Sequence, residues 1–395
     1  MNKKTIRDID VEGKRALVRV DFNVPLDPDT GAILDDSRIK ATLPTLTYLL
    51  DHGASLVICS HIGRPKGRVV ECLRMAPISH HLASCIAGSI ATATECVGDT
   101  VATAASRLRP GDMLMLENLR FNPGEEGNDP EFARSLASLG DIFVNDAFGT
   151  AHRAHASTVG VARCLPAVAG LLMEKELEFL GMAMENPRRP FTALLGGAKI
   201  NDKMAVLERL LERLDVLLIG GGMAGTFLKA KGHEIGGSLL EEESLEFVSK
   251  IMATGSDRGI PVVLPVDVVV GDSFDSDATP EIHGVEDVPE DGHIMDIGPE
   301  TVDLFEEYLK KSETVFWNGP MGVYEFPAFA QGTRRMAQVL AGLEATTVVG
   351  GGSTADAVIG LGLAGEMDHV STGGGASLEF LEGKILPGVA ALMDR

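Results

Sequence analysis

Short apolar runs that stop on Arg, His, Asn or Asp recur through the first 160 residues, with helical spacing between them. Arg15–Val20 alternates and ends in Asp21-Phe-Asn-Val-Pro25. Ser55–Ser60 ends in His61-Ile-Gly-Arg-Pro65, and Met113–Glu117 ends in Asn118-Leu-Arg-Phe121. Asp141–Asn145 runs into Asp146 and the polar stretch to Ser157. Arg38 opens a predicted helix reaching about Asp51. This rhythm predicts βαβ units and a parallel sheet. Ligands of such sheets bind at the carboxyl ends of the strands. Arg38, Arg64, Arg120 and Arg153 therefore share one rim, with His61, His152 and His155. One such arginine alone reads as a surface ion pair. Four at equivalent positions suggest a small, multiply charged anion.

Ala169–Met184 reads as one long helix, stopped by Asn186-Pro-Arg-Arg-Pro190, and marks the domain boundary. Beyond it the βα rhythm restarts. Phe191–Leu195 is a predicted buried strand, followed by Gly196-Gly-Ala-Lys-Ile-Asn-Asp-Lys203 and a helical pattern from Met204. Lys199 and Lys203 are expected at the strand-to-helix turn, with Lys203 in the helix's first turn; cations there oppose the helix dipole, so the two lysines point to a bound oxyanion. Without a ligand they are two solvated lysines in an ordinary turn. Gly220-Gly-Gly-Met-Ala-Gly225, Gly350-Gly-Gly-Ser-Thr354 and Ser371-Thr-Gly-Gly-Gly-Ala376 supply further glycine cradles. Several cradles in one domain suit a phosphorylated nucleotide held by backbone amides. The first also fits a loose dinucleotide pattern, but 45 glycines produce such matches cheaply. No P-loop motif is present. Gly271–Asp291 is acidic and pattern-poor, and reads as a solvated excursion.

The net charge of −22 argues against nucleic acid or anionic membranes as partners. Residues 1–185 carry 19 Lys and Arg against 24 Asp and Glu, and the remainder 16 against 33. The arginine-rich half is thus the less acidic one. Five cysteines without CxxC spacing fit reduced thiols and a cytoplasmic location. The N-terminus lacks the apolar segment of a signal peptide, and no run reaches membrane-spanning length.

Taken together, Arg19–Pro25, Ser60–Pro65, Glu117–Phe121, Asp146–Ser157, Leu195–Lys203, Gly220–Phe227, Trp317–Glu325 and Ser371–Pro387 resemble the phosphoglycerate kinase family nearly end to end. The resemblance implies two doubly wound α/β domains with a cleft between them. The expected boundaries are 1–168 for a triose-binding domain, 169–185 for a joining helix and 186–378 for a nucleotide-binding domain. The tail, about 379–395, is expected to pack on the first domain. Asp21, Asn23, Arg38, His61, Arg64, Arg120 and Arg153 match the family's triose positions. Gly197, Ala198, Lys203, Gly221, Gly222, Leu239, Asn318, Glu325, Gly351, Gly352, Ser353 and Thr354 match nucleotide positions. Arg38, Lys199, Gly352 and Gly375 match catalytic ones.

By this resemblance the reaction is reversible phosphoryl transfer between 1,3-bisphosphoglycerate and Mg-ADP, giving 3-phosphoglycerate and ATP, by a monomer. One departure stands out. Ser353 occupies the place where the family usually has a magnesium-binding aspartate, and a neutral hydroxyl is a weaker ligand for a hard cation. Either Ser353 or water takes that place. Two other readings stay open on sequence alone. One is a nicotinamide-dependent dehydrogenase; the other is a non-catalytic binding protein of the same family.

Overall fold

The computed structural model describes residues 2–395. Fifteen strands are β1 Arg15–Arg19, β2 Ser55–Cys59, β3 Ile90–Thr92, β4 Met113–Met115, β5 Ile142–Asn145, β6 Ala167–Ala169, β7 Phe191–Leu195, β8 Val216–Ile219, β9 Val262–Val263, β10 Asp267–Gly271, β11 Glu281–Gly284, β12 His293–Ile297, β13 Thr314–Asn318, β14 Thr346–Gly350 and β15 His369–Val370. The chain divides into two compact units, residues 2–178 with 385–395, and 179–384.

In the first unit six parallel strands lie in the order β3-β4-β2-β1-β5-β6. Both faces are covered, so the strands are apolar throughout rather than alternating. Val18, Ile58, Met115 and Val144 sit in the core with Ile39, Leu46 and Leu49 of the helix Ser37–Asp51. Register sets where the polar segments emerge. Arg19 pairs with Cys59 on one side and Asn145 on the other. The segments after β1, β2 and β5 therefore leave the sheet at one level. The terminal segment completes this unit: Leu386, Val389 and Leu392 are buried, and Met393 exchanges backbone hydrogen bonds with Lys4 and Ala167.

The second unit repeats the plan, with parallel order β15-β14-β13-β7-β8-β9. Leu194, Leu218, Trp317 and Val349 join its core, packed with Phe305 and Met336 from flanking helices. Leu195 is level with Ile219 and Asn318, and Asn318 with Gly350. Four glycine-bearing loops thus start at one edge.

Three expectations need correction. The Ala169–Met184 helix starts later, at Leu171, because Ala167–Ala169 forms β6 beside β5. The Asp146 carboxylate caps that helix, accepting from Leu172 and Met173 N–H. The acidic 271–291 stretch is not only a solvated excursion. Its Glu281–Gly284 segment pairs antiparallel with β10, which pairs antiparallel with β12 in a separate three-stranded sheet. Lys203 stands just before the helix Met204–Leu211, at the end of a single 3₁₀ turn, rather than inside its first turn.

Candidate active site

The first unit gathers its cations around two buried histidines. Arg38, one residue into its helix, donates to Asp21 Oδ2 at 2.5 Å. His61 Nδ1 lies 3.8 Å from the other Asp21 oxygen and 3.1 Å from Arg19 Nη2. Arg120 donates to the Gly63 carbonyl at 2.7 Å, and Asn23 Oδ1 accepts from Gly63 N–H at 2.8 Å. Asn118 clamps the same loop, bonding both ways with Ile62. Arg153 Nε reaches His152 Nε2 at 3.0 Å.

The electrostatics follow from this crowding. Burial, and then the charges of Arg19, Arg120 and Arg38, push the His61 imidazole well below its ordinary value despite Asp21. Burial and the charges of Arg19, Arg120 and Arg153 push His155 down to about 4. Both rings are neutral at pH 7 and serve as hydrogen-bonding groups, not cations. Burial alone would raise Asp21, but His61, Arg38 and Arg19 together hold it below the ordinary carboxylate value. Since His61 is itself neutral there, the two arginines are the charges that matter. Burial likewise lowers the Arg120 guanidinium from its usual value. Arg19, Arg38, Arg120 and Arg153 therefore share one field in which cations outnumber the carboxylates of Asp21, Glu125 and Glu126, a setting that attracts anions. Arg64 is exposed and lies outside these contacts.

Beneath the cluster lies a charge network with no local sequence signal. Arg19, 1% exposed, donates from Nε to Ser157 Oγ at 3.1 Å. Ser157 Oγ donates to Glu125 Oε1 at 2.5 Å, and Ser157 N–H to Oε2 at 3.0 Å. Glu125 is also buried. Arg19 opens the Arg19–Pro25 motif, but its partners are set by tertiary packing.

In the second unit the glycines pack loop against loop. Gly197 and Gly221 have φ of +82° and +63°. A Cβ at Gly221 would stand 2.4 Å from Gly197 N, and one at Gly319 would stand 2.1 Å from Gly196 O. Only glycine permits that approach. The amides of Gly197 and Gly221 are already spent on the carbonyls of Pro320 and Met321. Those two glycines shape the floor rather than offer N–H groups to a phosphate, a correction to the simple cradle reading.

The remaining donors are different in kind. Asn318 is buried, and its Nδ2 has no hydrogen-bond partner among the described residues. A Cβ at Gly351 would come within 2.8 Å of it. The helix Gly352–Gly360 follows, with unpaired first-turn amides at Gly352, Ser353 and Thr354. Thr354 Oγ1 accepts from Gly319 N–H at 2.7 Å, so it ties two loops together. Lys203 is half-buried beside Gly197, and burial lowers its ammonium from the usual value. Lys199, Ala198, Ser353, Glu325 and Gly375 are exposed. Leu239, 49% exposed, borders Gly222.

The phosphoglycerate kinase family model matches residues 6–384. The chain belongs to the phosphoglycerate kinase family. It is 55% identical over 396 residues to phosphoglycerate kinase of Roseiflexus sp. (strain RS-1), with all of both chains covered. It is 55% identical over 399 residues to that of Chloroflexus aurantiacus (strain ATCC 29366 / DSM 635 / J-10-fl), again with full coverage. The structure of phosphoglycerate kinase from Coxiella burnetii superposes with a TM-score of 0.87 at 39% identity, covering 98% of each chain. The chain is accordingly a phosphotransferase with a carboxyl group as acceptor, of a kinase family that uses ADP and ATP. The dehydrogenase and non-catalytic readings find no support in these relatives. No helix among the described residues is long and apolar enough to cross a membrane.

Proposed function

We propose that the first unit carries the triose phosphate and the second the nucleotide, in reversible transfer between 1,3-bisphosphoglycerate and ADP. The observation that carries this is the gathering of Arg19, Arg38, Arg120 and Arg153 around neutral His61 and His155. A small ligand with several negative charges answers that field. Arg120 and Arg153 bind its phosphate, with Arg64 reaching in from the exposed loop. Asp21, Asn23 and His61 orient its carboxyl and hydroxyl groups by hydrogen bonds. Arg38 stabilises the phosphoryl group in flight.

On the nucleotide side, Asn318 Nδ2 and the first-turn amides of Gly352, Ser353 and Thr354 are the donors for phosphate oxygens. Leu239 and Gly222 offer an apolar wall for the base, and Glu325 an acceptor for the ribose. Lys203 and Lys199 contribute charge, Lys199 to the moving phosphoryl group together with Gly352 and Gly375. Such transfer asks little covalent work of the protein; positioning and charge stabilisation suffice. An acyl phosphate is already activated, so a strong general base is unnecessary.

Magnesium fits this donor set only as an ion held mainly by the nucleotide phosphates. The 350–354 loop has no carboxylate, and Thr354 Oγ1 is occupied by Gly319 N–H. Ser353 Oγ is the loop's remaining side-chain oxygen. Such an ion would supply positive charge against the nucleotide phosphates, with Ser353 Oγ as the loop's contribution to holding it. We place the protein in the cytoplasm as a monomer, on its reduced-thiol composition and the family resemblance. A coupled assay with 3-phosphoglycerate, ATP and magnesium tests the reading. Turnover requiring all three supports it; absence of turnover with the folded chain overturns it.

A further inference from the structure

Away from the arginine cluster, three side chains with metal-ligating chemistry meet where two helices of the first unit adjoin. Asp36 immediately precedes the helix Ser37–Asp51. His81 and Cys85 are four residues apart on the helix Ala76–Cys85, hence on one face. One ligand atom from each of the three lies within 4.8 Å of the other two. His81 Nε2 and Asp36 Oδ2 are 3.0 Å apart. All three residues are half-buried, open enough for an ion to enter and closed enough to limit their freedom.

We propose that Asp36, His81 and Cys85 form a site for one zinc ion, separate from the magnesium-nucleotide site. Zinc binds carboxylate and imidazole at about 2.0–2.2 Å and thiolate at about 2.3 Å, which at tetrahedral angles separates the donors by roughly 3.3–3.6 Å. The carboxylate and imidazole donors stand 3.0 Å apart and the thiol within 4.8 Å of both, so that small rotamer adjustments bring all three to that spacing. An Asp–His hydrogen bond by itself accounts for two of the residues. It does not account for a thiol brought to the same point.

The surroundings favour the site in two further ways. Lys40 Nζ lies 2.9 Å from Asp36 Oδ1, leaving Oδ2 for the ion. Carboxylates that ligate metals are commonly held through their second oxygen in this manner. Imidazole and thiolate select zinc over magnesium, so the ion that accompanies the nucleotide does not compete. Binding requires the thiolate, and the Cys85 proton leaves to solvent as the zinc–sulfur bond forms. Three protein ligands leave the fourth position to water. Occupancy would link the helix Ala76–Cys85 to the start of the helix that carries Arg38, two positions after Asp36.

Cobalt(II) titration of the full-length, metal-stripped chain tests this, because a cobalt–thiolate bond produces a near-ultraviolet charge-transfer band. The expected band saturates at one cobalt per chain and disappears when zinc is added. It is absent in Cys85→Ser and unchanged in Cys72→Ser, whose thiol is exposed elsewhere. His81→Ala, and independently Asp36→Asn, weaken zinc binding by more than about tenfold in calorimetry. No band in the wild type, or a band that survives Cys85→Ser, overturns the site. So does zinc affinity unaffected in both His81→Ala and Asp36→Asn.

Discussion

Arg38 Nη1 donates to Asp21 Oδ2 at 2.5 Å, while the other oxygen of that carboxylate lies 3.8 Å from His61 Nδ1. One carboxylate thus holds a guanidinium in place and faces a neutral imidazole. The pair exists because β1 and β2 end at one level, so that Asp21 and His61 leave the sheet side by side. An arginine fixed before its ligand arrives loses less entropy on binding, which suits a group meant to act on a transition state.

The network under this pair should matter for stability. Arg19 is held by Ser157 and by the Val20 carbonyl, and Ser157 by Glu125. Arg19→Met removes the larger of the two arginine charges acting on buried Glu125, the other being Arg120, and breaks the link through Ser157; loss of a buried ionic partner of this kind costs about 3–5 kcal/mol. Urea unfolding of the variant should show a loss of that order. A loss under about 1 kcal/mol would mean that Glu125 does not depend on Arg19.

Asp146 gives a pH signature. Burial raises its carboxyl to about 7, against hydrogen bonds from Thr45, Met173 and Leu172. A folded-state value above the unfolded one means that the native protein binds the proton more tightly. The resulting stabilisation is full below about pH 4 and is lost as pH rises to about 7. Relative to Asp146→Asn, the wild type should lose up to about 1.4 kcal/mol per pH unit across that window. Denaturant unfolding of both proteins at pH 5 and pH 8 measures it. Parallel curves would show that Asp146 is an ordinary carboxylate.

The strand rhythm, the gathering of Arg38, Arg120 and Arg153, and the long motifs were legible because they are local: apolar runs, their ends, and residue order; Arg64, expected on the same rim, stands exposed outside those contacts. What escaped depends on partners far away in sequence. Ala167–Ala169 is strand rather than helix because β5 offers it an edge. Glu281–Gly284 has no apolar alternation, yet β10 pairs with it. Gly197 and Gly221 looked like phosphate cradles, but their amides answer Pro320 and Met321. Glu125 carries no signal until Ser157 is brought to it.

The terminal segment should be required by the first unit. Leu386, Val389 and Leu392 are buried, and Asn145 Nδ2 donates to the Gly388 carbonyl at 3.3 Å. Burying three such side chains contributes about 5 kcal/mol or more. Deleting residues 386–395 should therefore destabilise the first unit by several kcal/mol, seen as an early transition in thermal unfolding. A deletion that leaves the melting profile unchanged would contradict this packing.

Ser353 should set the magnesium requirement. Its hydroxyl is exposed in the first turn of the helix Gly352–Gly360, and no carboxylate stands in that loop. Ser353→Asp adds a charged ligand for a hard cation. A magnesium titration at fixed nucleotide should give half-maximal activity at a lower concentration, with little change in the affinity for 3-phosphoglycerate. An unchanged or higher requirement would show that position 353 does not face the metal.

The central claim is that Arg38 and Lys199 stabilise a phosphoryl group in flight. Charges of that kind act mainly on kcat, because their interaction is strongest in the transition state. Loss of one such donor costs about 3 kcal/mol, somewhat over a hundredfold. The decisive measurement is the turnover of Arg38→Ala and Lys199→Ala in the coupled assay, set beside calorimetric binding of 3-phosphoglycerate and nucleotide. In each variant kcat should fall by more than about a hundredfold while ground-state affinities change far less. Near-native turnover in either variant would contradict the account.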